Sequence, residues 1–193
     1  MDSFLNGIRR IHLVGIGGVG MTGLAFLLRD RGFSVSGSDI KEGYNTKLLK
    51  KESFQVSIGH RRSNIAGADL VCYSSAVKDA NIELKEAKKK NIKVLKRAEL
   101  LASLSYSARN IVISGSHGKT TTSAFCAFVL TELNYNPNVF IGAVALNFGK
   151  YSWSGKDLFV FEADESDGSF LNYSPWVAVF TNIDREHLDF YGD

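Results

Sequence analysis

Four short stretches hold the residues able to do chemistry. The first lies in ISGSHGKTTTSAFCAFVL, where Gly115, Ser116, His117 and Gly118 precede Lys119, Thr120, Thr121 and Thr122. A glycine-rich turn that opens a helix wraps phosphate oxygens in backbone N–H groups, and the helix dipole favours the anion. Lys119 adds a point charge and Thr120 a hydroxyl for Mg²⁺. The spacing is the short form G-x-x-G-K-T, since the general P-loop would need glycine where Ile113 stands. The second stretch is the acidic run Glu162-Ala163-Asp164-Glu165-Ser166-Asp167. The third is Asp184-Arg185-Glu186-His187-Leu188-Asp189. Phosphates at 115–120 would bring Mg²⁺, which takes hard oxygen ligands and keeps waters. Glu162 and Thr120 suit that need, and a neutral His187 imidazole can also ligate. Other readings stand beside these: a solvated, capped turn for the acids, and, as the commoner roles for such histidines taken alone, a structural or solvated His187 and a His117 that only shapes the loop.

The fourth stretch is Gly15-Ile16-Gly17-Gly18-Val19-Gly20, a G-x-G-x-x-G with Asp39 lying 19 residues past Gly20. Alone the pattern is weak. With a strand before it, a helix after it and an acid at this distance, it predicts a phosphate-binding Rossmann-type turn. NAD and UDP-sugars both use such turns, so the nucleotide stays open.

These residues need strands and helices to bring them together. Ile11–Val14 reads as a strand, and Met21, Leu24, Ala25, Leu27 and Leu28 form one helical face that ends near Gly32. Further strands are predicted at 33–36, 54–58, 69–73 and 92–95, and helices at 44–53, 81–90 and 99–104. This βα series predicts a parallel sheet whose ligand loops are 15–20, 37–39, 59–62 and 74–77. His60, Arg61 and Arg62 lie in one of them; their alternatives are a ligand contact or a solvated surface. His12, on a strand, reads as structural. After a link at 106–109 a second series opens with strand 110–114, the Lys119 turn and a helix to about residue 133. A strand at 139–141, a hairpin within 148–155, and buried strands at 157–161 and 176–180 follow. Parallel strands share one C-terminal edge, so the Lys119 turn and both acidic clusters should meet there.

The whole-chain numbers exclude several classes. The chain has 193 residues, 45% of them hydrophobic, and a formal charge of +3, too small for a nucleic-acid partner. Its one dense basic cluster, Lys88-Lys89-Lys90, falls on a helix face. Cys72 and Cys126 sit in apolar elements outside any metal spacing and read as free thiols in a reducing compartment. No apolar run reaches the ~18 residues of a membrane helix. The N-terminus lacks the apolar centre of a signal peptide.

GSHGKTTT, EADESDGSFL and TNIDREHLDFYGD, with HLVGIGGVGMTGLA, VSGSD, YSSAV and KRAELLA, resemble the Mur ligases along nearly the whole chain. The resemblance implies an α/β fold. A Rossmann-like, UDP-sugar-binding domain with a parallel sheet would span 1–107. An incomplete P-loop-type α/β ATP-binding domain would span 108–193, with a C-terminal domain beyond. It implies ATP and Mg²⁺ as cofactors, and a bacterial, cytoplasmic setting in peptidoglycan precursor synthesis. The reaction implied joins L-alanine to the carboxylate of UDP-N-acetylmuramate through an acyl phosphate. By position, Lys119 matches the lysine on the β/γ-phosphates. Thr120, Glu162 and His187 match the metal ligands, and 115–121 the ATP loop. Gly15, Gly17, Gly18 and Gly20 match the diphosphate cradle, with Asp39 and Ser75 at UDP-sugar contacts. Three alternatives remain: a ligase attaching a recycled murein peptide to the same sugar, a UDP-sugar-binding module, and a dinucleotide oxidoreductase. The last leaves the Lys119 turn unexplained. The 193-residue chain is expected not to turn over by itself and to leave a sheet edge or face exposed.

Overall fold

The structure is a computed structural model describing residues 5–166, 168–186 and 188–192. The chain divides into two compact units, Met1–Leu101 and Ala102–Asp193.

In the first unit β1 (Arg10–Val14) is buried from Ile11 onward, as an apolar run covered on both faces must be. It lies at the centre of an all-parallel sheet of order β3-β2-β1-β4-β5. The other strands are β2 (Ser34–Asp39), β3 (Gln55–Ile58), β4 (Leu70–Tyr73) and β5 (Lys93–Lys96). Helix α1 (Val19–Asp30) buries Met21, Leu24, Ala25, Leu27 and Leu28, the face read from the sequence. It stops where Gly32 takes φ +88° and Phe33 N–H returns to Leu28 O. Helices α2 (Tyr44–Lys51), α3 (Ile82–Lys89) and α4 (Arg97–Ser105) follow β2, β4 and β5 in the chain.

One boundary moves with consequences. Residues 37–39 are not a loop: β2 runs through them, because Gly37, Ser38 and Asp39 pair with Val56, Ser57 and Ile58 of β3. Gly37 permits this in a tight place, since a Cβ there would collide with Ile16 and Leu13 O. Asp39 therefore projects from a strand end rather than a mobile turn.

A carboxylate is buried in this unit. Glu83 of α3 is fully inaccessible and accepts from Ser38 Oγ at 2.6 Å, Asn64 Nδ2 at 2.5 Å and Arg61 N at 3.2 Å. His12 Nε2 stands 3.4 Å and His60 Nδ1 3.5 Å from it. His12 is thus structural, as expected, and its Nδ1 meets Ser36 Oγ at 2.9 Å.

The second unit carries a sheet of order β10-β6-β9-β7-β8. Its parallel strands are β6 (Arg109–Ser114), β7 (Asn138–Ala145), β9 (Leu158–Glu162) and β10 (Val177–Phe180). β8 (Lys150–Trp153) runs antiparallel to β7, so the sheet is mixed. The hairpin predicted within 148–155 instead joins β7 to β8, with Phe148 and Gly149 in the turn. Phe148 stacks on Trp153 at 4.5 Å, which explains the aromatic content that suggested a hairpin. Helix α5 (Lys119–Glu132) packs Ala127 against Ile113, Val139 and Val160. β10 corrects a second expectation. It is largely exposed, with Phe180 61% accessible, and among the described residues it pairs only with β6. An exposed sheet edge or face was expected in this unit, and among the described residues β10 is an edge strand with exposed side chains. Cys72 is buried, and burial pushes its thiol far up; Cys126 is only half-buried.

Burial pushes the Glu83 carboxyl up, but the adjacent His12 ring and the hydrogen bonds from Ser38 and Asn64 outweigh it, leaving the group at about 2. A depressed carboxylate contributes stability above its unfolded pKa and loses it as pH falls through the folded value. Glu83→Gln should therefore be less stable than the parent by roughly 3 kcal/mol at neutral pH. That gap should hold down to about pH 4.5 and close as pH approaches 2. Urea denaturation of both proteins across pH measures it.

Candidate functional site

Each unit places a glycine turn between a strand end and a helix N-terminus. In the first unit Gly15 takes φ +81°, and its N–H and that of Ile16 both reach Ser38 O. Gly17 N–H donates to Asp39 Oδ2 at 2.8 Å, and Asn45 Nδ2 holds Gly17 O at 2.8 Å. Gly15, Gly17, Gly18, Gly20 and Asp39 thus form one local constellation. Ser75 is exposed in the turn after β4, whose neighbours Ser74 and Val77 lie against Gly15. Arg97 escaped the sequence reading. Its guanidinium covers Gly20 so closely that a Cβ at residue 20 would overlap it. The signal was a basic residue directly after β5, another strand of this parallel sheet.

In the second unit Gly115 (φ +126°) and Gly118 (φ +81°) bend the chain between β6 and α5. A neighbouring segment, also missed from sequence, clamps the loop. Asn182 Oδ1 accepts from His117 N at 2.9 Å, Asn182 Nδ2 donates to His117 O at 2.9 Å, and Asn182 O accepts from Ser116 N at 3.3 Å. Thr181 Oγ1 also donates to His117 O. Ser116 and His117 thereby have their amides engaged, and the first amides of α5, which have no intrahelical partner, face forward. His117 carries its ring on the surface, 3.4 Å from Glu186.

Lys119 opens α5 with its ammonium folded across the loop. Nζ donates to Gly115 O at 2.5 Å, Ser116 O at 3.3 Å and Glu165 Oε1 at 2.9 Å. Thr120 Oγ1 donates to both oxygens of Glu162, at 2.9 and 3.1 Å, and Glu162 Oε2 also accepts from Gly142 N at 2.7 Å. Thr121 follows on the same first turn. The structure therefore gathers Lys119, Thr120, Glu162 and Glu165 at one edge. A cavity of about 610 Å³ opens beside them, lined by Gly115, Ser116, Glu165, Asn182, Asp184 and Tyr191 among others. His187 lies outside the described residues. Among those described, no cluster of His, Cys, Asp and Glu is arranged to hold a metal on its own. Thr120 and Glu162 offer two hard oxygen ligands, the number Mg²⁺ takes from protein when phosphate and water supply the rest.

Residues 10–109 match the pattern of the "Mur ligase family, catalytic domain", and residues 113–193 that of the "Mur ligase middle domain". The chain belongs to the Mur ligase family. It is 51% identical over 185 residues to the UDP-N-acetylmuramate–L-alanine ligase of Aquifex aeolicus, covering 95% of this chain and 41% of that one. The Geobacter sulfurreducens ligase of the same name is 48% identical, with coverages of 95% and 40%. The solved UDP-N-acetylmuramate–alanine ligase of Thermotoga maritima superposes with a TM-score of 0.87 at 33% identity, over 95% of this chain and 44% of that one. The UDP-N-acetylmuramate:L-alanyl-γ-D-glutamyl-meso-diaminopimelate ligase of Neisseria meningitides gives 0.88 at 28% identity, over 97% and 64%. The chain spans about 40% of the length of the curated relatives it matches. As a Mur ligase it combines the parallel α/β sheet of the first unit with the mixed sheet of the second.

The clamp makes Gly115 the most constrained residue of the Lys119 loop. A Cβ there would strike the Thr181 side chain and the Asn182 backbone, at a φ few residues adopt. Gly115→Ala should lower stability by on the order of 2 kcal/mol or more. Thermal denaturation followed by Trp fluorescence measures the loss.

Proposed function

We propose that this chain forms the UDP-sugar site and part of the ATP site of a ligase joining L-alanine to the carboxylate of UDP-N-acetylmuramate, in the bacterial cytoplasm. The observation that carries the reading is the convergence of Lys119, Thr120 and Glu162 at one edge of a Mur ligase chain. The relatives near 50% identity bear the name of that activity.

An unactivated carboxylate does not form an amide at neutral pH, whereas an acyl phosphate carries a good leaving group. In this reading the muramyl carboxylate attacks the γ-phosphorus of ATP, ADP departs, and the alanine amine then attacks the acyl carbon and displaces phosphate. Lys119 exchanges its contact with Glu165 for the β/γ-phosphate oxygens and stabilises charge on the transferring group. Thr120 Oγ1 and Glu162 would hold Mg²⁺, with His187 assigned to a second ion on the resemblance alone. The cation would neutralise the phosphates and polarise the transferred group. The amides of the first turn of α5, which the Asn182 clamp leaves alone, would orient the phosphate chain at the helix mouth. In the first unit the turn from Gly15 to Gly20, with Arg97 above it, holds the UDP diphosphate; Asp39 and Ser75 contact the UDP-sugar. Asp39 keeps the turn in shape through Gly17.

The Neisseria meningitides neighbour supports a second reading, attachment of a peptide to the same sugar, since it superposes as well as the alanine ligase. The two readings share the sugar and the nucleotide and differ in the amine.

Two binding measurements test the proposal. Calorimetric titration should show UDP-N-acetylmuramate binding and no NADH binding; the reverse would refute the sugar assignment. Lys119→Ala should weaken ATP by at least ~10-fold, as loss of a charged hydrogen bond to phosphate does. Unchanged ATP affinity would remove Lys119 from the site.

A further inference from the structure

The Glu83 cluster contains an asymmetry between its two histidines. Ser38 has one hydroxyl proton, and it goes to Glu83 Oε2 at 2.6 Å. Ser38 Oγ also lies 3.1 Å from His60 Nδ1. With its own proton committed, Ser38 must accept there, so His60 carries its proton on Nδ1. The chain runs His60 Nδ1–H to Ser38 Oγ–H to the Glu83 carboxylate. A neutral His60 then has a bare Nε2, on a ring that remains 19% exposed. His12 differs: it is 1% accessible, and its two nitrogens face Ser36 and Glu83.

The position of His60 suits a ligand. It follows β3 at the carboxyl edge of the sheet, and Gly59 N–H donates to Asp39 O at 2.7 Å, fastening it beside the end of β2. Asp39 in turn holds the glycine turn through Gly17 at 2.8 Å. In sheets of this order the phosphates sit on the first glycine turn, and the nucleoside extends over the end of the second strand. That path would carry a nucleoside toward the turn after β3, where His60 lies. Glu83 pins the same segment at further points, through Arg61 N and Asn64 Nδ2. A buried carboxylate is a poor device for stability alone, since apolar residues of similar volume do as well. Here its contacts converge on one ligand-edge turn.

We infer that His60 binds the nucleoside part of the nucleotide by presenting Nε2 as a hydrogen-bond acceptor, and that Glu83, acting through Ser38, is the positioning residue that fixes this tautomer. This rests on the proposal that the first unit binds a UDP-sugar. The partner on the ligand is a donor, either a ribose hydroxyl or the imide N–H of the base. Glu83→Gln changes the relay without removing the side chain: an amide can donate to Ser38, whose proton then turns to His60 Nδ1 and leaves a donor at Nε2. Ser38→Ala breaks the same relay and leaves the buried carboxylate in place.

UDP is the probe, titrated calorimetrically into the 193-residue chain well below its melting temperature. His60→Ala should weaken UDP by about 10-fold or more. Glu83→Gln and Ser38→Ala should each weaken it in the parent and add little in the His60→Ala background, the mark of residues acting through one another. Nitrogen-15 spectra should show an unprotonated His60 Nε2 that shifts on adding UDP, while the His12 resonances stay fixed. The weaker of 2′-deoxy-UDP and N3-methyl-UDP identifies the donor. If the parent binds UDP and His60→Ala binds it equally well, the inference falls and the UDP-sugar reading stands. Additive losses in the double variants overturn the role given to Glu83. Failure of the parent to bind UDP overturns the reading and the inference together.

Discussion

Ile113 pairs with Glu162 in the parallel register of β6 and β9, and the chemistry proposed for the second unit depends on that pairing. β6 ends in the glycine turn and β9 ends in the carboxylate. With Ile113 opposite Glu162, the first turn of α5 stands over the acid and Thr120 Oγ1 reaches both of its oxygens. A shift by one residue would turn Glu162 to the other face of the sheet and bury Phe161 differently. β7 supports the arrangement from the far side, where Gly142 N–H donates to Glu162 at 2.7 Å. The apolar strands therefore do more than fill a core; their register sets the carboxylate beside the hydroxyl.

The two units solve one problem in different ways. Each holds a glycine turn in an unusual backbone shape, where the proposed function would seat an anion. In the first unit an acid from the adjacent strand end, Asp39, takes the Gly17 amide. In the second an amide side chain, Asn182, grips His117 from both its N–H and its carbonyl. The charges follow the same division. Lys119 has its donors on Gly115, Ser116 and Glu165, so under the proposed function an incoming phosphate would replace one carboxylate rather than meet a bare cation. Such an exchange favours ligands carrying more charge than a single carboxylate.

Most of the fold was legible because its signals are local. Apolar runs gave the strands, the spacing of Met21, Leu24 and Leu28 gave α1, and Gly32 gave its end. The failures came where tertiary context decides. Residues 37–39 carry turn residue types, yet pairing with β3 keeps them extended. The hydrophobic WVAVF segment read as buried, but burial depends on what covers a strand, and β10 has a neighbour on one side only among the described residues. Thr120 and Glu162 were legible as a pair because strand ends share an edge. Glu165 was legible only as part of the acidic run expected at the Lys119 turn; Asn182 and Arg97 were not, since their importance lies in contacts spanning 65 and some 77 residues of chain. The Glu83 network was invisible for the same reason: a glutamate on a charged helix gives no local sign that it points inward.

The central claim is that Thr120 and Glu162 hold a divalent cation against phosphates bound at the Lys119 turn. The most direct measurement uses inorganic tripolyphosphate, which needs no contacts to a base. Its affinity is determined with and without Mg²⁺ for the parent chain and for Glu162→Gln. The account predicts that Mg²⁺ tightens binding to the parent by at least ~10-fold, and that Glu162→Gln loses most of this gain. An equal Mg²⁺ effect in both proteins would contradict it.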